Sequence, residues 1–291
     1  PALTPMADYE NPVVPEGINV SPTHPLREFA LLVAGISGLI LVTALVVSLL
    51  AGQFARYIPF AQEKALAGSL GKHWPEGASS AQDQQRQAYL QNLADRLGAV
   101  MKLPPGMDIT VHYAASDTVN AMATLGGHII VFQGLIDTLP DENALAMIVA
   151  HEIAHVRNRH PIVAIGRGFA VALALTSLAG FGDGLMEQWI GGLGMLPVLS
   201  FSRTQEEEAD ADALDALYRL YGHVGSATSF FERIAGEGGK VSSPALFNTH
   251  PGVEARIERI QRYAQAHPAQ QATQPVELPV WMKSTSPKGS P

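Results

Sequence analysis

The 291-residue chain contains no cysteine, which excludes disulfides and thiolate ligands. Any zinc held here must be bound through histidine and carboxylate. A basic excess is missing too: 19 Lys and Arg stand against 27 Asp and Glu, for a net charge of −8. Phosphate-binding surfaces draw on clustered cations, and none is seen, so nucleic acid is excluded as a partner. Charge itself is absent from Phe29 to Ala55. The apolar run from Phe29 to Leu50 covers about 33 Å as a helix, enough to cross the core of a bilayer. It lacks the amphipathic periodicity of a surface-packed helix. The acidic residues Asp8, Glu10 and Glu16 precede it in place of a short basic start, which speaks against a cleaved signal. Residues 29–52 are therefore read as one retained transmembrane helix, with the lipid bilayer as a partner.

What is present organises the rest. Residues 1–28 carry six prolines and read as an extended tail, and residues 53–81 as a linker. From Gln82 to Met101, Tyr89, Leu90, Leu93, Leu97 and Val100 fall at helical spacing. Ile109, Val111 and Tyr113 alternate with polar neighbours as in a half-buried strand. Val119–Leu125 and His128–Phe132 flank Gly126-Gly127, the turn signal of a β-hairpin. A helix opens at Thr138-Leu-Pro-Asp141 with a capping box, runs to His160 and is stopped by Pro161. Further helices cover Gln205–Tyr221, Ser226–Ala235 and Gly252–Ala266, and residues 268–291 form a proline-rich tail read as loop or disorder. The catalytic domain is set at residues 82–267.

The chemistry lies in His151-Glu-Ile-Ala-His155. Two imidazoles four residues apart on a helix are about 40° apart around the axis and about 6 Å along it, so both reach one ion. Glu152, about 100° round from the first, is placed to take a proton from a water without binding the ion. A catalytic zinc needs a third protein ligand. The histidine that some arrangements supply six residues on is here Pro161. His160, about 140° from His155 on an extended helix, reads as a surface or cap residue. The remaining candidates lie in Glu206-Glu-Glu-Ala-Asp210 and its continuation. Glu206 with Asp210, or Glu208 with Asp212, could pair a ligand with an orienting carboxylate, and spacing does not choose between them.

His151-Glu-Ile-Ala-His155 together with Ser202-Arg-Thr-Gln-Glu206-Glu-Glu-Ala-Asp210 resembles metallopeptidase family forty-eight, the HtpX and CAAX prenyl protease class. The resemblance implies one zinc per chain on His151, His155 and Glu206, with Glu152 as base, Asp210 as partner of a bound imidazole and Glu208 on the surface. Thr249-His250-Pro251 followed by Arg256 resembles a third family element, which implies that His250 assists at the metal site and that Arg256 orients its surroundings. Val119-Asn-Ala-Met-Ala123 is similar to the segment that pairs with extended substrate, which implies peptide contacts at Asn120, Ala121 and Ala123.

The expected fold is α+β and predominantly helical: a zincin-like domain with a small antiparallel sheet beside the histidine helix, preceded by one transmembrane helix. The expected function is zinc-dependent endoproteolysis of unfolded or membrane-associated proteins. The alternatives are a prenyl-peptide protease and a membrane-bound scaffold with structural zinc. Ile162–Phe201, apolar and rich in glycine, is read as a cover over the groove in preference to a membrane hairpin, because Arg167, Asp183 and Glu187 interrupt it. Arg56, Lys64 and Lys72 follow the anchor and favour a cytoplasmic domain. The resemblance to exported quality-control members favours the opposite side. The expectation is a single-pass inner-membrane protein with its catalytic domain in the periplasm.

Overall fold

A computed structural model describes residue 13 and residues 24–70, 79–179, 201–236, 253–269 and 274–284. The chain divides into two units, Pro1–Thr43 and Ala44–Pro291. Helix α1, Pro25–Ala55, begins in the first of them. An 18-residue stretch of this 31-residue helix has a mean hydropathy of 2.7, so the helix is long and apolar enough to cross a membrane. Phe29, Leu31, Leu32, Leu39 and Leu41 all stand exposed on it, as side chains facing lipid would.

The second unit carries the site. After α2 (Phe60–Leu70), helix α3 (Ala81–Met101) starts on a capping box between Ser80 and Asp83 and ends at Lys102 in the left-handed conformation. Leu90, Leu93, Ala94 and Leu97 bury the face that the sequence periodicity marks. Three strands follow: β1 (Thr110–Ala114), β2 (Ala121–Ala123) and β3 (His128–Phe132), in the order β1-β3-β2. The hairpin forms, with β2 antiparallel to β3. Its turn is longer than two residues, because Thr124 N–H donates to His128 O and leaves Leu125–Gly127 as the loop. Strand β1 runs parallel to β3, so the sheet is mixed where an antiparallel one was expected. Alternation along a strand reports which faces are buried and carries no information on the direction of its neighbour.

Helix α4 (Gln133–Thr138) precedes α5 (Glu142–Arg157). The cap of α5 is Asp141 alone, accepting from Ala144 N–H at 2.8 Å, while Thr138 bonds back to Leu135 O at the end of α4. Every residue of α5 from Glu142 to Val156 is buried. The helix stops at Arg157 and a new one, α6 (His160–Ala179), begins after a two-residue turn. Pro161 therefore lies in a first turn, where its missing N–H costs nothing. The described part of the apolar stretch, Ile162–Ala179, is helical; residues 180–200 lie outside the described residues.

Helix α7 (Arg203–Tyr221) begins on a capping box between Ser202 and Gln205 and ends at Gly222 with φ 75°. It packs along α5. Helices α8 (Ser229–Gly236) and α9 (Val253–Ala266) complete the described helices. Within the expected tail, residues 274–284 have no regular structure beyond one 3-10 turn, yet they are docked on the domain. Val276 accepts from Glu142 N–H at 2.8 Å and donates to Asn143 Oδ1 at 2.8 Å, and Met282 is fully buried. The tail resists a reading from composition because side chains of other elements satisfy its backbone.

Candidate metal centre

Helix α5 aims His151 and His155 at the same point, with their Nε2 atoms 3.0 Å apart. Both are buried. The capping box that starts α7 sets the rotation of its acidic run: Glu206 and Asp210, one turn apart, are 2% and 0% exposed, while the Glu207 and Glu208 side chains are 60% and 56% exposed. Glu206 Oε2 is 3.4 Å from His151 Nε2, and its Oε1 is 3.5 Å from His155 Nε2. Four-coordinate zinc with nitrogen and oxygen bonds of about 2.0–2.2 Å places its ligand atoms roughly 3.3–3.5 Å apart. The two carboxylate–imidazole separations match that spacing, the imidazole pair at 3.0 Å is a few tenths of an ångström tighter, and the donor set suits the ion in chemistry. Among the described residues, His151, His155 and Glu206 form a group that could hold a metal.

Asp210 accepts from His151 Nδ1 at 3.0 Å and from Arg256 Nη2 at 2.7 Å, and its other oxygen accepts from Arg259. Burial pushes the Asp210 carboxyl up, but Arg256, then His151 and Arg259, bring it below the usual carboxylate range. For His151, burial and the Arg256 charge push downward, while hydrogen bonds to Asp210 and Glu206 prevail and carry the imidazole up to about 9. Arg256 is itself buried, lies 4.5 Å from the centre of the Phe231 ring and sits 3.0 Å from His151 Nδ1.

The surroundings of His155 differ. Its Nδ1 is 2.8 Å from His160 Nδ1, and His160 Nε2 is 3.2 Å from Glu208 Oε2. Phe201 stacks on its ring at 3.9 Å. The expectation of His160 as a surface or cap residue fails: it is 4% exposed and touches the site. The helical-wheel angle that removed it assumed one continuous helix, whereas the turn at Asn158 and Arg159, with Arg159 at φ 64°, swings His160 back. Pro161, a first-turn residue, was the available signal. Glu208 is exposed as the resemblance implied, but it is in contact with His160.

Glu152 is fully buried beside the sheet, and its Oε2 accepts from Ala123 N–H at 2.7 Å. In the antiparallel ladder Thr124 and Asn120 bond to β3, as Thr124 N to His128 O and Phe132 N to Asn120 O. The intervening odd-numbered residues Ala121 and Ala123 therefore point their backbone groups to the other edge, toward α5. Asn120, Ala121 and Ala123 are all buried. His250 lies outside the described residues.

Comparison with known proteins agrees with this geometry. The model of Peptidase family M48 matches residues 80–264. The metalloprotease LoiP of Escherichia coli is 37% identical over 155 residues, which cover 51% of this chain and 60% of that protein. The mitochondrial metalloendopeptidase OMA1 of Schizosaccharomyces pombe is 30% identical over 156 residues, 53% of this chain and 46% of its own length. The beta-barrel assembly-enhancing protease of Escherichia coli is 27% identical over 155 residues, 49% of this chain and 31% of that protein. The chain thus spans between about a third and three fifths of these relatives. With more than half of its length under the family model and its three candidate ligands buried within one ion's reach, the chain belongs to peptidase family M48.

Proposed function

We propose that this protein is a membrane-anchored, zinc-dependent endopeptidase, with α1 as its anchor and the catalytic domain on the periplasmic side of an inner membrane. The observation that carries the reading is the convergence of His151 Nε2, His155 Nε2 and Glu206 on one point, with Glu152 buried beside them. His151, His155 and Glu206 hold the zinc, which when bound supplies a Lewis acid and makes water nucleophilic near neutral pH. Glu152 takes the proton of the attacking water on its carboxylate and delivers it to the leaving amine. Asp210, itself fixed by Arg256 and Arg259, orients His151 through Nδ1. His250, assigned on its sequence motif, donates to the oxyanion or occupies the metal in a resting state.

Substrate adds to the edge of β2 that faces α5, with Asn120, Ala121 and Ala123 lining its path and the Ala123 N–H exchanging its bond to Glu152 for one to the peptide. Backbone pairing of that kind is indifferent to sequence, which suits unfolded or membrane-associated proteins as substrates. A purely structural zinc is closed by protein ligands. A buried carboxylate one residue past the first histidine has no part in such a site and a direct one in hydrolysis.

Casein cleavage by the purified full-length protein, with and without chelator, tests the reading. Glu152→Gln should abolish cleavage yet retain stoichiometric zinc, since the amide cannot take the proton and the side chain is no ligand. Cleavage that survives both chelator and this substitution would sink it. Ala121→Pro should impair turnover with zinc content intact, by removing a backbone donor from the edge; unchanged turnover would place the groove elsewhere.

A further inference from the structure

Glu63 is a buried carboxylate apart from the metal centre. Only 3% exposed, it belongs to α2, in the stretch expected as a linker and ahead of residues 80–264 matched by the family model. Its Oε1 accepts from Gly126 N–H at 2.9 Å, and its Oε2 lies 2.8 Å from Arg159 Nη1. Burial pushes this carboxyl up, and the Gly126 amide and Arg159 offset that only in part. Of these two partners Arg159 carries charge, and removing either it or Glu63 would leave the other's largely buried charge uncompensated.

Those partners lead to the two walls of the site. Gly126 is in the tip of the β2–β3 hairpin, at φ 72°. A Cβ there would stand 2.8 Å from Ala67 Cβ and 3.1 Å from Lys64 Cα, so the tip is seated directly on the α2 backbone. Lys64 also pairs with Asp108, just before β1, at 2.9 Å. Arg159 occupies the turn that follows the metal helix α5, four residues beyond His155. Its guanidinium donates to Ile58 O and lies 5.4 Å from the centre of the Phe60 ring. From Gly126 the hairpin returns in three residues to Ala123, whose N–H holds Glu152. Strand β2 is only three residues long and, among the described residues, has a strand neighbour on one side alone. So short an edge is marginal unless something beyond the ladder fixes it.

We propose that Glu63 and Arg159 are positioning residues that clamp the tip of the substrate-edge hairpin to the exit of the metal helix, making α2 part of the peptide-binding machinery. The proposal rests on the peptidase reading for its consequence in turnover, and on the Gly126 hydrogen bond and the Arg159 ion pair for its consequence in hairpin mobility. Without the clamp, β2 drifts relative to α5, and a peptide added to its edge arrives out of register with the metal.

The test uses full-length protein in detergent. Glu63→Ala and Arg159→Gly are compared with wild type for KM and kcat on an extended casein peptide, zinc content, and hydrogen exchange across residues 121–127. Loss of a charge-assisted buried contact should raise KM roughly tenfold and speed exchange of that segment by a similar factor, with kcat changed less than about threefold and zinc unaltered. Glu63→Gln, which keeps an acceptor for Gly126 N–H but no charge for Arg159, should recover much of the exchange protection. Arg159→Gly guards against simple misfolding by Glu63→Ala, because glycine suits the positive φ at that position. Wild-type KM and exchange in folded Arg159→Gly would overturn the proposal. A wild-type protein that binds zinc yet cleaves nothing would defeat the peptidase reading instead, and the exchange comparison would still decide the clamp.

Discussion

The two histidines of α5 stand four residues apart and are oriented by opposite means. His151 donates through Nδ1 to a buried carboxylate, Asp210, which two arginines of α9 hold in place. His155 meets a second imidazole, His160, backed by a carboxylate at the surface. Were Nε2 to hold an ion, Nδ1 of His155 would carry a proton and donate to His160 Nδ1. That would leave His160 protonated at Nε2, donating to Glu208. One side of the proposed metal centre is thus built on buried charge and the other on a neutral hydrogen bond. Buried charge gives the stronger orientation and binds the site to protonation; the neutral bond fixes the ring with little electrostatic consequence.

Substitution of Glu206 should erase the comparison altogether. Glu206→Ala leaves two protein ligands, and both zinc binding and cleavage should be lost; retained zinc with Glu208→Ala metal-free would move the third ligand by two residues. Asp210→Ala should weaken zinc by about 10 to 100-fold through loss of orientation at His151. The same variant separates charge from geometry. His151 is carried up to about 9, so at pH 7 the metal-free protein holds a proton there. Zinc must displace that proton, and wild-type affinity should climb as pH rises toward about 9. Calorimetry in buffers of different ionisation enthalpy should find close to one proton released from His151 in the wild type and markedly less in Asp210→Ala. Equal proton release in the two proteins would remove Asp210 as the source of the shift.

How much of this was legible in the sequence depends on whether one element or several set the feature. The pair His151 and His155, and Glu152 between them, follow from helical spacing on one helix, and the structure brings them together as read. Glu206 needed the family resemblance, because spacing left Glu208 with Asp212 open; the rotation of α7, which the spacing does not give, puts Glu206 and Asp210 inside. The hairpin was readable from Gly126-Gly127, while the parallel pairing of β1 was not, since it depends on where a distant strand lies. His160 was lost by extending a helical angle past the end of its helix. Helix α2 and residues 274–284 were missed as structure for a related reason. The polar composition of the first and the prolines of the second read as linker and tail, and what orders them are single contacts to other elements, such as Glu63 to Gly126 and Val276 to Asn143.

The smallest expected effect isolates the two links of the His155 chain. His160→Ala removes the acceptor of a buried donor, which costs about 1–3 kcal/mol, so zinc affinity should fall roughly tenfold. His160→Asn offers a carbonyl oxygen close to where Nδ1 stood and cannot reach Glu208, so it should recover most of that loss. Glu208 is more than half exposed, its carboxylate is screened by solvent, and Glu208→Ala should change zinc affinity by less than about twofold. A match between Glu208→Ala and His160→Asn, both near wild type, would confine the orientation of His155 to the single 2.8 Å contact between the two imidazoles. If Glu208→Ala instead falls to the level of His160→Ala, the surface carboxylate is needed after all. Both sides of the centre would then be charge-built, and the contrast drawn between His151 and His155 would be wrong.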